Sequence, residues 1–114
     1  MGLAPGRIYA GSPYRVGAHF EDDTDTDVDP TTITFTLLSP TGVETAYVYG
    51  TDSNVVKVST GDYYAEVTPT EGGRWRFAWL STGTNKAIRF EGDFLVRESL
   101  FNGYTSTWPR DDYV

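Results

Sequence analysis

The chain of 114 residues is the length of one domain, enough for a single hydrophobic core and too short for two. At 39% apolar and 15% aromatic residues it is not a disordered polymer, although its Asp-rich stretch alone would suggest one. Sixteen acidic against nine basic side chains give a net charge of −7, which argues against a nucleic-acid groove, and the lack of cysteine excludes disulfides, thiolate catalysis and Cys-ligated zinc.

Residues 1–11 are rich in Gly and Pro and lack the apolar core of a signal peptide, so they are expected to form an N-terminal arm. No apolar run approaches the roughly 20 residues of a spanning helix, so no membrane association is expected. Tyr14, Val16, Ala18 and Phe20 alternate with Arg15, Gly17 and His19 as a first strand. Ile33, Phe35 and Leu37 then alternate with Thr32, Thr34 and Thr36, and Ser39-Pro40-Thr41-Gly42 follows as a turn. Val43 to Tyr49 alternates again before the turn Gly50 to Asn54. Val55 to Val58 is a short strand closed by Ser59-Thr60-Gly61-Asp62, and Tyr63, Ala65 and Val67 share a face of the next. After Pro69 to Gly73, Trp75, Phe77 and Trp79 share a face opposite Arg74, Arg76 and Ala78. A last strand spans about Lys86 to Arg97, with a bulge expected at Gly92.

Some seven strands, spaced by turn signals and without any helical period, read as an all-β, Ig-like antiparallel sandwich in preference to a small barrel. The sandwich is expected over residues 12–98, followed by an extended C-terminal arm, residues 99–114. Ile33, Phe35, Tyr63, Val67, Trp75, Phe77, Phe94 and Val96 are the expected core.

Catalytic signals are weak. His19 is the only histidine and reads as a solvated strand residue, since a Ser/His/Asp triad would have to be built around it alone. Glu66 and Glu91 read as separate surface carboxylates, not a glycosidase pair. Arg74 and Arg76 read as solvated or paired with Glu66. No phosphate loop or dinucleotide fingerprint is present, so neither an enzymatic activity nor a cofactor is expected.

Within the acidic run Glu21 to Pro30, Asp23, Asp25 and Asp27 occupy the first three ligand positions of an EF-hand-type loop. The pattern then fails, because Val28 stands where glycine is required and Thr34 where the loop needs Glu. The run is therefore expected to be a turn in which Asp side chains cap backbone amides, without a bound metal.

The motifs Asp29-Pro30-Thr31-Thr32-Ile33-Thr34-Phe35, Ser39-Pro40-Thr41-Gly42, Gly61-Asp62-Tyr63-Tyr64, Gly72-Gly73-Arg74-Trp75-Arg76-Phe77 and Glu91-Gly92-Asp93-Phe94-Leu95-Val96 occur in that order. Over about residues 14–98 the chain thereby resembles the small Ig-like structural proteins of tailed bacteriophages. The resemblance implies a non-enzymatic virion component at the head-to-tail junction or capsid surface, assembled in the host cytoplasm. Its partners would be portal, connector, capsid or tail subunits and further copies of itself, and it carries over no catalytic residue. Phe101, Tyr104, Trp108 and Tyr113 in the C-terminal arm are the candidate interface anchors, large aromatics being typical in that role. A carbohydrate-binding module with Trp75, Phe77 and Trp79 as its platform, or a Ca²⁺-dependent adhesion module, is the alternative.

Overall fold

A computed structural model describes residues 8–83 and 88–98. Eight strands occur among them, in chain order β1 (Ile8–Tyr9), β2 (Tyr14–His19), β3 (Thr32–Leu38), β4 (Glu44–Val48), β5 (Val55–Ser59), β6 (Asp62–Val67), β7 (Gly73–Thr82) and β8 (Ile88–Arg97), with no helix. They form two sheets, one ordered β1-β8-β7-β3-β4 and the other β2-β6-β5. Pairing is antiparallel throughout except between β1 and β8. The fold is all-β and sandwich-like.

Alternation along the strands builds the space between the sheets. Ile33, Phe35 and Leu37 of β3, Trp75 and Trp79 of β7, and Phe94 and Val96 of β8 point inward from the larger sheet. Val16, Val55, Tyr63, Ala65 and Val67 meet them from the smaller one. Aromatic rings join the layers: Tyr14 packs on Phe94 at 4.7 Å between centroids, and Phe20 meets both Tyr63 and Trp79. Seven of the eight expected core residues are buried; Phe77 is half-buried, stacked on Phe35 at 5.9 Å.

Three expectations are corrected. The sandwich does not begin at residue 12: Ile8–Tyr9 pairs with Val96 and Arg97 as an edge strand, and Ile8 and Ala10 are buried, so this part of the expected arm packs with the sheets. Two residues are too short to announce a strand by alternation. Gly92 makes no bulge, because the β7–β8 register runs unbroken from Gly73–Val96 to Ser81–Ile88. It stands directly opposite Phe77, and a Cβ there would come within 2.6 Å of the ring, so the missing side chain makes room for Phe77. Finally, Glu66 does not reach Arg74 or Arg76 across a sheet. It lies in the smaller sheet and binds Arg15 at 3.0 Å, while Arg74 pairs with Asp93 on the neighbouring strand.

Trp75 is 6% exposed and donates its indole N–H to the Glu71 carbonyl at 3.0 Å. Trp75→Ala is expected to cost about 3–5 kcal/mol, the usual range for a large buried aromatic, measured as a lowered midpoint in chemical denaturation. An unchanged midpoint would contradict the core assignment.

Candidate functional site

The principal cluster of titratable side chains forms where β2 leaves the sheet. Phe20 is fully buried, so its neighbours His19 and Glu21 are turned outward on one common face. The β2–β6 register sets Asp62 directly opposite His19. An antiparallel bridge between Glu21 and Asp27 then brings Asp27 alongside. The acidic residues between them form the turn: Asp22 Oδ1 accepts from the Thr24 amide at 2.8 Å, its hydroxyl at 2.6 Å and the Thr26 amide at 3.1 Å. Asp25 takes the left-handed conformation (φ 63°) that Asp tolerates in tight turns.

His19 is thus surrounded by carboxylates. Its Nδ1–H donates to Asp62 at 2.5 Å, and its Nε2–H faces Asp27 at 3.0 Å and Glu21 at 3.3 Å. The hydrogen bond to Asp62, with the charges of Asp27 and Asp62, raises the imidazole pKa above its usual value and favours the doubly protonated ring. Asp62 in turn accepts from the Ser59 hydroxyl at 3.0 Å, and its pKa is lowered by His19 first and Ser59 second. Among the described residues, the groups that Nε2 faces are the carboxylates of Glu21 and Asp27.

Of the three Asp residues singled out in the loop, only Asp27 enters a group of converging donors. Among the described residues, the potential metal ligands that gather within 4.8 Å of one another are His19, Glu21 and Asp27; Asp23 and Asp25 are not among them. Sequence spacing alone pointed to the odd-numbered Asp residues of the run. The signal that could have found the true cluster was the parity of His19 and Glu21 about a Phe that had to be buried.

Asp29 closes the loop against the β5–β6 turn. One oxygen accepts from the Gly61 amide at 3.0 Å and the Tyr63 hydroxyl at 2.9 Å, the other from Lys57 at 2.6 Å. These partners, Lys57 foremost, lower its pKa to about 2. Burial, followed by the Asp29 carboxylate, raises that of Tyr63. Gly61 has φ +82°, and a Cβ there would lie 2.7 Å from the Phe20 carbonyl oxygen, so glycine is required at this crossing.

The outer face of the larger sheet is the second notable surface. Ala46, Thr36 and Ala78 stand side by side on β4, β3 and β7 and form a low floor. Val48, Thr34 and Leu80 border it on one side, Glu44, Leu38 and Arg76 on the other. A depression of about 150 Å³ lies over the floor, lined also by Arg89 and Glu91. Leu80 and Leu95 are 40% and 56% exposed on the same face. Glu91 pairs with Arg89, and Glu66 lies in the other sheet, so these two carboxylates do not act together.

Trp79 is fully buried and Trp75 nearly so, which leaves neither free to stack on a sugar ring. The four candidate anchors Phe101, Tyr104, Trp108 and Tyr113 lie outside the described residues. No protein-family model matches the chain, and no characterised protein matches its sequence.

Two outcomes are expected. The Asp29 carboxylate has a folded-state pKa below its ordinary 3.8, so its contribution to stability is present above that value and lost as pH falls from about 4 to about 2. Thermal melts across that window should show an acid-induced fall in midpoint that is shallower in Asp29→Asn, which starts from a lower midpoint near neutrality. Millimolar Ca²⁺ should leave the midpoint unchanged, whereas a site filled at a hundred times its Kd would add about 2.7 kcal/mol. An upward shift with Ca²⁺ would overturn this expectation and make the carboxylates of Glu21 and Asp27, which converge, the first candidate ligands.

Proposed function

We propose that this chain is a non-enzymatic structural protein of a tailed-bacteriophage virion, an Ig-like domain acting through protein–protein contacts at the head-to-tail junction or capsid surface. The observation that carries the reading is the outer face of the five-stranded sheet. Its floor of Ala46, Thr36 and Ala78, with exposed Leu80, Leu95 and Val48, offers apolar area to a partner. The Arg74–Asp93 and Arg89–Glu91 pairs at its side provide the polar rim that orients such a contact. The resemblance of the motif order to small Ig-like phage proteins supports the choice of partner, namely portal, connector, capsid or tail subunits and further copies of the chain.

Phe101, Tyr104, Trp108 and Tyr113 add a second contact in this reading, laid against a neighbouring subunit. Among the described residues, the core is drawn from residues 8–96. The carbohydrate-binding alternative loses its platform with Trp75 and Trp79 in the core, and the Ca²⁺-adhesion alternative loses the convergence of its three Asp residues.

Purified particles encoded by the same genome should contain the chain at a fixed copy number by mass spectrometry. Deleting residues 101–114 should leave a cooperatively melting domain and abolish incorporation into those particles. Particles lacking the native chain would overturn the reading. Normal incorporation of the truncated chain would remove the C-terminal segment from it.

A further inference from the structure

We propose that His19, Glu21 and Asp27 form a binding site for one divalent transition-metal ion of the zinc class. The donor set is one imidazole nitrogen and two carboxylate oxygens, drawn from adjacent positions on one outward face. Imidazole suits Zn²⁺ and its neighbours, whereas Ca²⁺ takes six to eight oxygens and gains nothing from a ring nitrogen.

The spacing fits such an ion. Ligand atoms lie about 2.0–2.2 Å from tetrahedral zinc, which puts any two of them roughly 3.3–3.6 Å apart. His19 Nε2 stands 3.0 Å from Asp27 Oδ1 and 3.3 Å from Glu21 Oε2. An ion between the three takes the place of the Nε2 proton, which passes to solvent, and water completes the coordination on the exposed side.

A separate feature, outside the three ligands, points the same way. Asp62, on the neighbouring strand, holds His19 Nδ1–H and is itself held by the Ser59 hydroxyl. A carboxylate behind the distal ring nitrogen is the arrangement that fixes the tautomer and aim of a metal-ligating histidine. Charge favours occupancy as well: the carboxylates of Glu21, Asp27 and Asp62 surround a single imidazole, and that concentration of acidic groups favours a bound cation. The frame is stiff: Phe20 is buried between the two ligand-bearing positions, its amide donates to the Gly61 carbonyl, and its carbonyl accepts from the Val28 amide.

The experiment uses the full chain stripped with EDTA. Titration calorimetry with Zn²⁺ should give one ion per chain, and Co²⁺ should develop the strong visible absorption of a tetrahedral site. His19 is the only histidine and there is no cysteine, so His19→Gln removes every imidazole and thiol at once. That variant should lose the Co²⁺ band and bind Zn²⁺ at least about tenfold more weakly, and Asp62→Asn should weaken binding by roughly 10–100-fold. Circular dichroism confirms that each variant is folded; should His19→Gln not fold, Glu21→Gln on the same exposed face decides, with the same expected loss. No Zn²⁺ binding by the native chain, or Zn²⁺ binding unaffected in these variants, overturns the proposal. So does Ca²⁺ binding as tight as Zn²⁺ binding, which would mean a carboxylate site without the imidazole.

Discussion

Burial of Phe20 is the constraint on which much of this molecule turns. The side chain sits just beyond the end of β2, fully removed from water, with its ring against Tyr63 of the same layer and Trp79 and Phe90 of the other. A buried aromatic contributes through its large apolar area and through edge-to-face contacts, and here it does both between layers. Its backbone is held as firmly, with the amide on Gly61 and the carbonyl on Val28. Because side chains alternate along an extended chain, placing residue 20 inward leaves residues 19 and 21 no choice but the outer face. A slip of one residue would bury a histidine and a glutamate and expose the phenylalanine, so the register is strongly specified.

The surplus of negative charge is organised around that point. Glu21, Asp27 and Asp62 gather around the His19 ring, and Asp29 holds Lys57. These groups are half-exposed, so solvent screens their attraction and each pair contributes little to stability by itself. Their effect is positional: they tie the acidic turn, the end of β2 and the β5–β6 turn into one unit. The outer face of the larger sheet has the opposite character. There the floor is made of small side chains, and Arg–carboxylate pairs lie along β7 and β8. The two surfaces therefore differ in chemistry, and the proposed cation site and the proposed protein contact draw on different residues.

Several elements were legible because one local rule governs them. Ile33-Thr34-Phe35-Thr36-Leu37 alternates and becomes a central strand with Thr outward, and Trp75, Phe77 and Trp79 fall on one inward face as their spacing requires. Gly42, Gly50 and Gly61 all adopt the positive φ that turns demand, at or beside the turns expected for them. Gly92 was misread because a glycine in a strand has two uses, a bulge or a close approach, and only the facing residue on β7 distinguishes them. Ile8 and Ala10 were missed because a strand of two residues carries no period, and its burial depends on the edge of β8 being open beside it.

The amino-acid sequence alone determined the class of structure, since alternation and turn chemistry act between near neighbours and admit no helical solution here. It also determined that the acidic run would turn, because Asp22 caps amides only two and four residues away. Which carboxylates meet the lone histidine was decided by the tertiary structure. Asp62 lies 43 positions from His19 and arrives through the β2–β6 register, and Asp27 arrives through its bridge to Glu21. The pairing of Glu66 with Arg15, and not with Arg74 or Arg76, depends likewise on which sheet each strand joins. Cross-strand register is set by the packing of the whole core, and no local pattern of residues carries that information.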